Sequence, residues 1–159
     1  MANKKIKGIV VEIGGDTTKL GKALENSEKK SRSLQSELYE IRNSLKFDPT
    51  NVELLSQKQE VLTQKIGETS DKLDVLREAE RQVIEQFRRG EVAQEQVRAL
   101  HREIIKTESV LDSMRLDVDD TNKSLRNLAD GTDNAEKHTE EYKDALAKAK
   151  GELKEFKNS

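Results

Sequence analysis

Apolar residues fall at alternating steps of three and four over most of this chain, the spacing of a helix stripe that packs on another helix. The first stripe is Leu20, Leu24, Ser27, Ser31, Leu34, Leu38, Ile41 and Leu45, which predicts a helix over 16–46 whose early half is weakened by its two serines. Phe47-Asp48-Pro49-Thr50 then breaks the pattern. Asp48 before Pro49 suits an N-cap, and Thr50 with Glu53 suits a capping box, so a second helix is expected over 50–89. Its stripe runs Val52, Leu55, Gln59, Leu62, Ile66, Thr69, Leu73, Leu76, Glu80, Val83 and Phe87, with Gln59, Thr69 and Glu80 as its polar interruptions.

Gly90, after Arg88 and Arg89, reads as a C-terminal stop. The third stripe is the most regular: Val97, Leu100, Ile104, Thr107, Leu111, Met114, Val118, Thr121, Leu125 and Leu128 keep the alternation without a single charge, predicting a helix over 92–129. The stripes on either side of Gly90 are matched in length, roughly 54 Å each at 1.5 Å per residue. They predict an antiparallel hairpin in which Leu55, Leu62, Ile66, Leu73 and Leu76 face Val97, Leu100, Ile104, Leu111, Met114, Val118, Leu125 and Leu128.

Asp130-Gly131-Thr132-Asp133-Asn134 has the composition of a turn, with Thr132 or Asp133 able to cap a C-terminal helix over 132–157. The phase argues the other way. Continued from Leu128 through Thr132, the alternation meets Ala135, Thr139, Tyr142, Leu146, Ala149, Leu153 and Phe156, so one long helix running through Gly131 is the alternative. Only residues 1–15 break the helical rule. Ile9, Val10, Val11 and Ile13 read as a strand running into Gly14-Gly15, with Asp16 as the cap of the first helix. Nothing later in the chain resembles a strand. This one is expected to pair with another copy or another protein, since unpaired strand groups are costly, or else to lie disordered or extended along the bundle.

The fold class is therefore all-α, an elongated helical hairpin or coiled coil with a short N-terminal strand. Composition agrees: 33% hydrophobic and 38% charged residues are too few and too many for a large globular core. Acidic and basic groups are interleaved and the net charge is −2, which excludes a general pull towards nucleic acid or anionic lipid. Ile9-Val10-Val11 is too short for a signal peptide or a membrane span, so the chain reads as soluble and without membrane contact.

Candidate chemistry is sparse. With no cysteine there is no disulfide, thiolate metal site or thiol nucleophile. Gly14-Gly15-Asp16-Thr17-Thr18-Lys19 lacks the spacing of a phosphate loop, and a tight turn explains it better. His101 and His138 are too far apart for a helical metal pair and sit beside the stripes. Carboxylate pairs such as Asp119-Asp120 and Glu140-Glu141 lie on charged faces that cannot raise a pKa by burial. Glu25 with Lys29 and Glu68 with Lys72 have the spacing of intrahelical ion pairs. Phe47 and Phe87 are expected to plug the two helix ends, and no aromatic is interleaved with a basic stripe. No catalytic residue, cofactor or metal is expected.

Three segments in this order, 7–25, 45–62 and 85–108, resemble the amino-terminal region of tail tape measure proteins of long-tailed bacteriophages and of prophages in Gram-positive bacteria. The resemblance implies a helical structural protein around which tail-tube subunits polymerise. It implies self-association, tail-tube and tail-assembly partners, and residence in the virion tail after assembly in the host cytoplasm. Such proteins run to many hundreds of residues, so the chain is expected to be a piece of one. A non-viral coiled-coil scaffold or adaptor is the alternative reading.

Overall fold

The computed structural model describes residue 6 and residues 8–158, without the side chains at 132–136, 138, 142, 153 and 156–158. The expectations for Thr132, Asp133, Ala135, His138, Tyr142, Leu153 and Phe156 therefore fall on side chains outside the described residues. The elements in order are β1 (Val10–Ile13), β2 (Asp16–Lys19), α1 (Leu20–Phe47), α2 (Val52–Arg88) and α3 (Gln94–Asn158). The fold is all-α, with helices packed on one another and a two-stranded antiparallel sheet at the N-terminus.

The strand finds its partner in the chain itself. Gly14 and Gly15 both have positive φ (60° and 87°), the backbone of a two-residue hairpin turn whose twist matches the strands it joins. Val10 therefore lies opposite Lys19, Val11 opposite Thr18 and Ile13 opposite Asp16. Asp16, expected to cap the first helix, is a strand residue instead, and α1 begins at Leu20. The Leu20 amide donates to the Ile9 carbonyl at 3.0 Å, so the hairpin ladder runs directly into the first turn of α1.

Neither proposed cap opens α2. Asn51 does, its side-chain oxygen accepting from the Leu54 amide at 2.9 Å while Asp48 Oδ2 accepts from the Asn51 amide group. At the other end the Glu91 amide donates to the Gln86 carbonyl and the Gly90 amide to the Phe87 carbonyl, with Gly90 at φ 74°. This pair of bonds closes the helix only when the residue after the cap is left-handed, the conformation glycine adopts without strain. Phe47 (91% exposed) and Phe87 (43%) do not plug the turns, because both are carried on the outer side of their last helical turn.

Helix α3 is continuous through Gly131 and has 65 residues, roughly 98 Å. A glycine without close neighbours costs a helix about 1 kcal/mol, which does not by itself end one. Helix α2 is the central element and packs on both α1 and α3. Polar pairs fix the direction: Glu80 meets His101 at 2.8 Å, Lys72 meets Glu103 at 2.8 Å and Gln59 donates to Asn122 at 2.6 Å, so numbers fall on α2 as they rise on α3. Lys30 with Glu68, and Lys65 with Gln35, set the same antiparallel relation between α1 and α2.

Candidate functional site

With the fold in place, the surfaces that bind are the helix faces. On α2, Leu62 and Leu76 are fully buried, Leu55 and Leu73 nearly so, and Ile66 partly. Across from them on α3, Leu100, Ile104, Leu111 and Met114 are buried, and Val97, Val118, Leu125 and Leu128 are partly covered. Each fully buried leucine removes apolar surface worth about 1.5–3 kcal/mol, so this seam carries most of the hairpin's stability. Four of its polar positions are paired, Gln59 with Asn122 among them. Glu80 accepts from, or shares a proton with, His101 Nδ1 at 2.8 Å, and the Thr107 and Thr121 hydroxyls donate to the carbonyls of Glu103 and Asp117 four residues back.

A second stripe on α2 faces α1 and the hairpin: Lys58, Val61, Lys65, Glu68, Lys72, Val75, Ala79, Gln82 and Gln86, every one buried or half-buried and again at alternating steps of three and four. Most of it is polar, which hid it from a reading of apolar residues. It explains why Glu68 and Lys72 do not pair with each other. Glu68 reaches Lys30 on α1 and Lys72 reaches Glu103 on α3, so both ties hold helices together.

The upper end of this stripe secures the hairpin. Residues 11, 13, 16 and 18 direct their backbone groups inward across the sheet, leaving those of Val10 and Glu12 on the outer edge. Gln82 completes that edge: its Oε1 accepts from the Glu12 amide at 2.7 Å and its Nε2 donates to the Glu12 carbonyl at 2.8 Å. Gln86 donates to the Val10 carbonyl at 2.6 Å. Residues four apart on a helix rise about 6 Å and residues two apart on a strand about 6.6 Å, so two glutamines on successive turns stand in for a third strand. Ile9 and Val11 are buried beneath, Ile13 is half-buried against the same core, and Val10 faces outward. The outer edge of β2 stays short, ending at Lys19 where α1 starts.

At the lower end, Asp117 of α3 binds Lys58 of α2 at 2.6 Å and Arg42 of α1, tying three helices at one carboxylate. Burial pushes this carboxyl up, but hydrogen bonds from Lys58 and Arg42, and their charges, hold it below the usual value. Lys65 is lowered by burial and by the nearby Arg42 charge, and its ammonium donates to Gln35.

For chemistry the arrangement offers little. A cleft of about 700 Å³, open to solvent, lies between the hairpin turn and the end of α2, lined by Glu12, Glu78, Glu85, Arg81, Arg88 and Arg89 among others. Hydrogen bonds from Arg81 and Gln82 hold the Glu78 carboxyl down at about 2, so it serves as an ion-pair partner and not as a proton donor. Among the described residues no cluster of His, Asp and Glu is arranged to hold a metal ion, and no helix is long and apolar enough to cross a membrane.

Comparison with known proteins gives one informative similarity. Over 120 residues the chain is 29% identical to a protein named probable tape measure protein from Lactococcus phage SK1, a match covering 69% of this chain and 12% of that relative. No family model matches, and no solved structure matches. The chain thus spans about an eighth of the length of that relative, and the similarity supports a structural role in a bacteriophage.

Proposed function

We propose that this chain is the amino-terminal part of a tail tape measure protein and acts without catalysis, its helices contributing length and contact surface to tail assembly. The similarity to the Lactococcus phage protein is the observation that carries this reading. The elongated helical fold supports it, since a length standard needs a rise per residue and not an active site. Its partners are tail-tube and tail-assembly proteins and copies of itself, met first in the host cytoplasm and then in the virion tail.

The architecture makes this specific. Because α1 and α2 fold back beside α3, only α3 adds axial length. Removing two heptads from within 129–158 in the parent gene should shorten the tail by roughly 21 Å, at 1.5 Å per residue. Removing α1 should leave tail length unchanged in any tails that form. Electron microscopy of the resulting particles tests both arms, and tails of unaltered length after the α3 deletion would reject the proposal.

A further inference from the structure

The hairpin has two edges, and the chain covers one of them. Gln82 and Gln86 meet the outward backbone groups of Glu12 and Val10 on β1. On β2 the outward groups belong to Thr17 and Lys19, because Asp16 and Thr18 turn theirs to β1. Among the described residues nothing hydrogen-bonds to the Thr17 amide or carbonyl or to the Lys19 amide, and both residues are exposed. A strand edge left open in this way is a template for another extended backbone.

A second observation lies on the same strand. The Thr18 hydroxyl is buried, and it is the one buried side-chain oxygen or nitrogen among the described residues without a hydrogen-bond partner. Such groups are rare in folded proteins, because the bond to water is lost and nothing replaces it. A strand laid along β2 brings a side chain directly opposite Thr18 on the same face of the sheet, within reach of that hydroxyl.

We propose that β2 is the docking edge for an extended segment of another tail-assembly protein, which adds a third strand beside it. The residues it opposes set its chemistry: a basic side chain facing Asp16, a β-branched one facing Thr17, a Ser, Thr or Asn facing Thr18 and an acidic one facing Lys19. A second copy of this chain does not fit. Gln82 meets Glu12 and Gln86 meets Val10, so β1 runs antiparallel to α2 and lies along the direction of α3. Antiparallel pairing of two β2 strands would turn the α3 helices of the copies in opposite directions, against the common axis of the tape measure reading. Parallel pairing would set Asp16 beside Asp16 and Lys19 beside Lys19, like charge on like. The inference rests on the tape measure reading for the identity of the partner and on the sheet alone for the mode of pairing.

The test places two substitutions in the parent gene and in the purified chain. Thr17→Pro removes the outward amide and spares the ladder to β1, since proline is tolerated where a strand N–H faces solvent. Thr18→Val removes the unpartnered hydroxyl and keeps the side chain's shape. Both purified chains should melt at or above the wild-type temperature by circular dichroism. Complete tails counted by electron microscopy should nonetheless fall by roughly tenfold for Thr17→Pro, and by less for Thr18→Val. If Thr17→Pro lowers the melting temperature, the tail yield of Thr18→Val decides alone. A benzophenone amino acid in place of Lys19 should cross-link, during assembly, to a single segment of another tail protein with the alternation given above. Undiminished tail yield in Thr18→Val, or cross-linking of the benzophenone to a second copy of the chain alone, would overturn the inference. Neither result touches the tape measure reading, which the deletion within α3 tests separately.

Discussion

Replacing Lys65 by Met should stabilise the protein, although it removes a hydrogen bond. Lys65 is 7% exposed, and its ammonium donates to the neutral Gln35 amide oxygen while Arg42 adds charge of its own sign nearby. Covering an ammonium this way costs about 1–3 kcal/mol even after one bond is made. Met keeps the length of the aliphatic stem and its packing. The abandoned Gln35 is exposed and can be solvated, so the loss on that side is at most about 1 kcal/mol. The net expectation is a gain of about 1 kcal/mol, read as a shift of the urea midpoint by circular dichroism at neutral pH. A pH arm isolates the cause. The folded-state pKa of Lys65 lies below 10.5, so the unfolded chain holds its proton longer and the native protein gains stability as pH rises through the window just below 10.5. The advantage of Lys65→Met should shrink across that window. A loss of 1 kcal/mol or more at neutral pH, or an advantage independent of pH, would refute the reasoning.

Leu111→Asp places a charge at a seam position that is 4% exposed and should cost roughly 3–5 kcal/mol with loss of helicity, while Ser109→Asp on the exposed face should change stability by less than about 0.5 kcal/mol. Asp117→Asn removes the carboxylate shared by Lys58 and Arg42 and should cost on the order of 1 kcal/mol after solvent screening. Because the folded pKa of Asp117 is depressed, that contribution is present above its ordinary value of 3.8 and is lost as pH falls through the folded value, so variant and wild type should converge in acid. Gly90→Ala meets no atom within 4 Å yet must hold φ near 74°, and should lower stability by about 1 kcal/mol without altering the fold, as thermal melts would show.

What could be read from the sequence was whatever apolar side chains encode. The stripe from Leu20 to Leu45 lies on the face that α1 turns to α2, and the uncharged stripe from Val97 to Leu128 lies on the face that α3 turns to α2. The second stripe of α2 was not legible, because Lys65, Glu68, Lys72, Gln82 and Gln86 look like solvated surface until a neighbouring helix brings their partners. The hairpin was missed for a related reason. Asp16 satisfies the chemistry of a helix cap as well as that of a strand end, and Thr17-Thr18 carries no apolar alternation. The signal was there in Gly14-Gly15, a glycine pair able to take positive φ at both positions of a two-residue hairpin turn. Gly131 misled in the opposite direction, since a helix absorbs one glycine where its stripe stays in phase.

The central claim is that the chain doubles back at Gly90 into a bundle with α2 in its middle. Spin labels at the exposed positions 74 and 105, on α2 and α3, test it directly by pulsed electron resonance. Packed antiparallel helices about 10 Å apart should give a narrow distribution at roughly 10–25 Å once label length is included. A distance near 46 Å, the rise of 31 residues along one unbroken helix, would contradict it.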